Sequence, residues 1–146
     1  MNRVMIGDKQ TLVIEHCRNK EVLDVGCVGA FEYTIENMRN SLHYRLKPYT
    51  KKLVGVDIEE KGIQVLNSLG CDCRVGFAED IQEELGKFDV VLLGDVIEHI
   101  PDPCAFLTKL RPLLKQDGTI ICTTPNAMCF WRFNCRNNRS LLSIVF

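Results

Sequence analysis

The sequence predicts a single α/β domain, a parallel sheet of five short strands with helices on both faces. Three observations predict it. Short apolar runs alternate with amphipathic helical stripes along most of the 146 residues. A glycine turn, Asp24-Val25-Gly26-Cys27-Val28-Gly29, joins the first apolar run to the first long stripe. Later runs end on glycine or a carboxylate, at Val54-Gly55-Val56-Asp57 and at Phe88-Asp89-Val90-Val91-Leu92-Leu93-Gly94-Asp95.

Each element follows from its own signals. Leu12, Val13, His16 and Cys17 share one face of a helix over 11–17, which Asn19 stops. Residues 21–25 form the first strand, apolar enough to be buried on both faces. Phe31, Ile35, Met38 and Leu42 recur at helical spacing, so one helix is expected from about Ala30 to Leu46, before Pro48. Residues 53–56 are the second strand. Glu59 and Glu60 suit a helix N-terminus, Ile63, Leu66 and Leu69 make its inner face, and Gly70 ends it. A weak third strand over 71–75 and a short helix over 81–85 come next. Residues 88–93 are the fourth strand. Asp102-Pro103 starts a helix, with Phe106, Leu107, Leu110, Leu113 and Leu114 as its core stripe. Asp117-Gly118 turns the chain into a fifth strand over 119–123, stopped by Pro125.

A length of 146 residues fits one domain, 1–146, with its core at about 20–126. The net charge of −1 provides no field that would draw in nucleic acid or an anionic membrane, so no nucleic-acid partner is expected. Residues 1–8 lack the apolar centre of a signal peptide, and no run nears the roughly 20 apolar residues of a membrane span. The expected setting is cytoplasmic. The eight cysteines contain no pair at zinc-ligand spacing, Cys71 and Cys73 being too close and without a second pair. They are expected to be reduced thiols used as small core residues, with no metal site and no disulfide framework.

Ligands of such sheets bind outside the carboxyl ends of the strands. Gly26 and Gly29 allow a tight turn and close backbone approach. Asp57 closes the second strand, where a carboxylate accepts ribose hydroxyls or caps the following helix. Asp24 adds a second negative charge beside the turn, which repels a diphosphate and welcomes an ammonium group. The spacing Gly-x-x-Gly-Ala also departs from the Gly-x-Gly-x-x-Gly of pyrophosphate sites. A ligand with a ribose and a positive charge fits better than a dinucleotide.

Five ordered motifs carry a family resemblance: residues 22–27, 54–58, 88–91, the stretch Val96-Ile97-Glu98-His99-Ile100-Pro101-Asp102-Pro103, and residues 118–126. The chain resembles class I S-adenosylmethionine-dependent methyltransferases, in the small-molecule branch that includes ubiquinone-biosynthesis-like enzymes. The resemblance implies a Rossmann-like, doubly wound sheet of order 3-2-1-4-5 and S-adenosyl-L-methionine as cofactor. It implies methyl transfer to oxygen, nitrogen or carbon of a small-molecule acceptor. Asp24, Gly26, Cys27 and Gly29 would hold the methionine part, Asp57 the ribose, and Ile58 the adenine face. Phe77, Ala78 and Glu79 would form the adenine turn, and Gly94 and Asp95 the floor beneath the sulfonium. Phe77 stands where the family usually has an acid, a place Glu79 or Asp80 would fill. Ala30 replaces the last glycine of the family loop.

If the acceptor is a hydroxyl, a base must take its proton, and His99 is the histidine nearest the expected pocket. His99 alternatively packs the next helix, while His16 and His43 are expected to be structural. Residues 129–139 mix aromatics with arginines and are expected to begin an acceptor-side segment; the alternative is a surface that binds a base or an anionic acceptor. The uncharged tail 141–146, without the family's usual antiparallel strand pair, leaves three outcomes for the fifth-strand edge: a shortened chain, a partner or second copy covering it, or cover by its own tail. Two other functions compete, a cofactor-binding module without turnover and a nicotinamide-dependent oxidoreductase.

Overall fold

The computed structural model describes residues 9–30, 32–124 and 142–145. Its elements are α1 (Lys9–Cys17), β1 (Glu21–Val25), α2 (Ile35–Asn40), α3 (Leu42–Leu46), β2 (Lys52–Asp57), α4 (Glu60–Ser68) and β3 (Cys73–Val75). They continue as α5 (Gln82–Leu85), β4 (Phe88–Gly94), α6 (Pro103–Leu110), β5 (Leu114–Thr123) and β6 (Leu142–Val145), with 3-10 turns at Ile97–His99 and Arg111–Leu113. The sheet runs β3-β2-β1-β4-β5-β6, and every neighbouring pair is parallel. The order 3-2-1-4-5 is therefore the observed one for the first five strands.

Period-two alternation sends β1 and β4 side chains to opposite faces. Leu23, Val25, Val91 and Leu93 pack with Phe106, Leu107 and Leu110 of α6 on one face. Val22, Val90 and Leu92 pack with Val13, Ile14 and Cys17 of α1 on the other. A third cluster joins Val28, Met38, Ile63 and Leu66 beside β2 and β3. Helix ends fall where local chemistry puts them. Asn19 adopts φ 58 after α1, Gly70 adopts φ 78 after α4, and the Asp102 side chain accepts from the Ala105 N–H at the start of α6.

Three expectations are corrected. The long helix over 30–46 is two helices, because Ser41 leaves helical geometry at ψ 151 and its hydroxyl oxygen caps α3 by accepting from the Tyr44 N–H. The inner face then passes to Met38, His43 and Leu46, while Ile35 is exposed. The fifth strand begins at Leu114, where a register shift opposite Phe88 and Val90 lets the chain pair early. Of the outcomes left open for the edge of β5, cover by the chain's own tail is the one seen, with β6 pairing along it, Ile120 opposite Leu142 and Thr123 opposite Val145. Lastly, Cys17, Cys27, Cys71, Cys73 and Cys122 are free thiols but Cys104 is disulfide-bonded; spacing along a chain does not reveal which cysteines folding brings together. Among the described residues no helix is long and apolar enough to cross a membrane.

Candidate functional site

The loop after β1 is tied to the end of β2 by hydrogen bonds that leave its glycines in left-handed geometry. Gly26 (φ 79) donates its N–H to the Val56 carbonyl at 2.8 Å, and Gly29 follows at φ 71. The Val28 N–H donates to Asp57 Oδ2 at 3.0 Å, and the Glu59 N–H donates to Asp57 Oδ1 at 3.1 Å. One carboxylate thus joins the glycine loop to the start of α4. A carboxylate offers about four lone-pair positions, so two backbone bonds leave capacity for a ligand. A Cβ at Gly26 would run into Val96 Cγ2 of the loop after β4. Gly26→Ala is expected to cost about 1–2 kcal/mol for the left-handed backbone and a further ~1–3 for the overlap, read as a lower urea midpoint.

At the neighbouring strand end, the Gly76 N–H donates to the Asp57 carbonyl at 2.9 Å, which sets the loops after β2 and β3 side by side. Ile58 and Phe77 leave these adjacent ends 57% and 56% exposed, an apolar pair presented to solvent. Ala78 is buried in the core, while Glu79 is half-buried and Asp80 exposed.

On the other side of β1, Val25 pairs with Leu93, so Gly94 emerges beside Gly26. Among the described residues, chain neighbours aside, no atom lies within 4 Å of where a Gly94 Cβ would stand. Asp95 adopts φ 54, and its carboxylate accepts from Lys9 Nζ at 2.6 and 2.8 Å and from Thr123 Oγ1 at 3.0 Å. Lys9 opens α1, so the first helix delivers a cation to the same end of the sheet. His99 is exposed on the 3-10 turn that follows. Glu98 Oε2 is buried there with no hydrogen-bond partner among the described residues. Burial, reinforced by the Glu98 charge, pushes the Cys122 thiol up to about 12, which leaves it inert at neutral pH.

Asp24 lies elsewhere. It is 3% exposed, and its Oδ2 accepts from His43 Nδ1 at 2.9 Å. Because a carboxylate only accepts, that ring nitrogen carries the proton. Burial opposes charge on His43, but Asp24, Cys71 and Cys73 together hold its pKa well above the ordinary histidine value. The other ring nitrogen, Nε2, lies 3.3 Å from Cys73 Sγ. Cys27 turns its side chain to the same place. The fold therefore gathers Gly26, Gly29, Asp57, Ile58, Phe77, Gly94 and Asp95 at one sheet end, with His99 on the turn that follows. Asp24 and Cys27 instead point into a buried cluster that linear spacing did not reveal. The one sequence signal for it was Asp24 itself, an acid inside an apolar strand and so in need of a partner. The mixed aromatic and arginine stretch 129–139 lies outside the described residues.

A parallel sheet of this order, with a glycine loop and a carboxylate at adjacent strand ends, is the doubly wound α/β architecture, whose ligands bind outside the carboxyl ends of the strands. The chain belongs to the methyltransferase domain family, whose model, described as "Methyltransferase domain", matches residues 1–144. Among curated relatives, the ubiquinone biosynthesis O-methyltransferase of Cereibacter sphaeroides is 34% identical over 72% of this chain and 41% of its own length. The same enzyme of Ruegeria sp. is 33% identical over 86% of this chain and 45% of its own. The chain thus spans less than half the length of these relatives. Among solved structures, PH0226 of Pyrococcus horikoshii is 26% identical at TM-score 0.59, over 77% of this chain and 53% of that one. The plantazolicin methyltransferase BamL, solved with SAH, shares the fold at TM-score 0.53 and 22% identity, over 77% of this chain and 42% of that one.

Proposed function

We propose that the chain binds S-adenosylmethionine across the carboxyl ends of β1, β2 and β4 and transfers its methyl group to a hydroxyl of a small-molecule acceptor. The observation that carries this is the Asp57 carboxylate, tied to the glycine loop and flanked by exposed Ile58 and Phe77. A carboxylate with spare lone pairs suits two ribose hydroxyls, and the exposed apolar pair suits an adenine ring. The relatives' name, O-methyltransferase, supports oxygen as the acceptor atom.

When bound, the cofactor supplies a methyl group already activated by a sulfonium. The protein's task is then placement, which supplies roughly 7–11 kcal/mol when reacting atoms are held in line. The Gly26–Gly29 loop lets the ligand approach the backbone. Lys9 and Asp95 offer a cation and an anion to the amino-acid end, a role that Asp95 takes in place of Asp24 because the latter is committed to His43. His99 accepts the proton that the acceptor hydroxyl gives up as its oxygen gains the methyl group. His99→Ala is expected to lower kcat about 10²–10⁴-fold while S-adenosylhomocysteine affinity stays unchanged. An unaltered kcat removes the base role from His99.

Calorimetry with S-adenosylhomocysteine and with NAD tests the binding half. One-to-one binding of the first and none of the second is expected; the reverse would make the chain an oxidoreductase. Transfer of a labelled methyl group to hydroxylated small molecules tests the other half. Tight binding with no transfer to any of them would leave a cofactor-binding module.

A further inference from the structure

The buried cluster behind the glycine loop has the composition and shape of a metal centre. Cys27 Sγ, His43 and Cys73 Sγ present ligand atoms that all lie within 4.8 Å of one another, and all three residues are buried. They come from three places in the fold: the loop after β1, helix α3 and strand β3. Four-coordinate zinc holds sulfur at about 2.3 Å and nitrogen at about 2.0 Å, which separates the two ligand atoms by about 3.5 Å. His43 Nε2 and Cys73 Sγ are already 3.3 Å apart.

Two further observations point the same way. Asp24 holds the far ring nitrogen of His43 at 2.9 Å, the carboxylate–histidine arrangement that fixes the tautomer and aims the free nitrogen at a metal. Gly55 sits in the middle of β2, where glycine is otherwise unfavourable. A Cβ there would stand 2.7 Å from Cys27 Sγ, 2.7 Å from Cys73 Sγ and 2.8 Å from His43 Cε1. The strand gives up a side chain at the point where three potential ligands converge.

We propose that Cys27, His43 and Cys73 bind one Zn²⁺ ion that pins the cofactor loop to α3 and β3, with a water in the fourth position. Half-buried Cys71 lines, with His43, a cavity of about 220 Å³ at the starts of β2 and β3, which provides a route in from solvent. Binding displaces the two thiol protons and any proton on Nε2, and no electron is transferred.

The test uses the full chain, reduced, stripped with chelator and titrated with Co²⁺. One equivalent is expected to bind, with a sulfur-to-cobalt charge-transfer band and tetrahedral d–d bands that equimolar Zn²⁺ abolishes. Wild-type protein that takes up less than half an equivalent, or gives cobalt spectra without the sulfur band, overturns the proposal, and this needs no variant to fold. Cys27→Ser and Cys73→Ser are each expected to weaken Co²⁺ binding at least 100-fold. Cys122→Ser, a buried thiol outside the cluster, should change it less than twofold. Equal affinity across all three variants places the ion elsewhere and overturns the assignment.

Discussion

Replacing Asp57 by alanine is expected to weaken S-adenosylhomocysteine binding about 100-fold. A hydrogen bond to a charged group contributes about 1.5–3 kcal/mol, and each 1.4 kcal/mol is tenfold in affinity. The same carboxylate accepts from the Val28 and Glu59 N–H groups, so the variant should also lose roughly 1–3 kcal/mol of folding stability. The two effects separate in a double cycle with a ligand analogue that lacks the ribose hydroxyls, measured by calorimetry. If Asp57 contacts the ribose, the penalties of variant and analogue overlap rather than add. Fully additive penalties would confine Asp57 to holding the loop.

Asp24→Ala is expected to be the most damaging single change to the fold. It removes one member of a pair in which Asp24 is 3% and His43 1% exposed, leaving a buried imidazole with no acceptor for its Nδ1 proton. Breaking a buried pair in this way costs about 3–5 kcal/mol. That is a large share of the roughly 5–15 kcal/mol that stabilises an ordinary domain. Urea unfolding reads the loss directly, and Asp24→Asn, which keeps an acceptor oxygen, should lose less. Cofactor affinity, corrected for the folded fraction, should change little. A stable Asp24→Ala protein with poor S-adenosylhomocysteine binding would return Asp24 to the ligand.

The strands β1 and β4 were legible because they are buried on both faces and therefore stand out as apolar runs. Val22 to Val25 and Val90 to Leu93 needed no partner information to recognise. The start of α6 was legible in two residues, Asp102 and Pro103, since capping is local chemistry. The strand-end residues followed from the same logic: Gly26, Asp57 and Gly94 fall where strand order places them. Contacts made over long separations were not legible. Nothing near Asp24 in sequence names His43 as its partner, and nothing near Cys73 names Cys27. Nor did the apolar spacing from Phe31 to Leu42 reveal the interruption at Ser41, because a stripe at helical spacing looks the same whether or not the backbone stays helical through it. The uncharged tail left several outcomes open for the β5 edge, and only the three-dimensional pairing shows residues 142–145 lying along it.

The interruption at Ser41 acts as a phase corrector. On one unbroken helix, five residues of advance from Met38 to His43 would swing the second side chain about 140° away from the first. Both are nevertheless directed inward, at 0% and 1% exposure. The step between α2 and α3 thus turns the imidazole back toward β1. A substitution that let the two segments fuse would rotate His43 into water and leave Asp24 alone in the interior, without touching either residue.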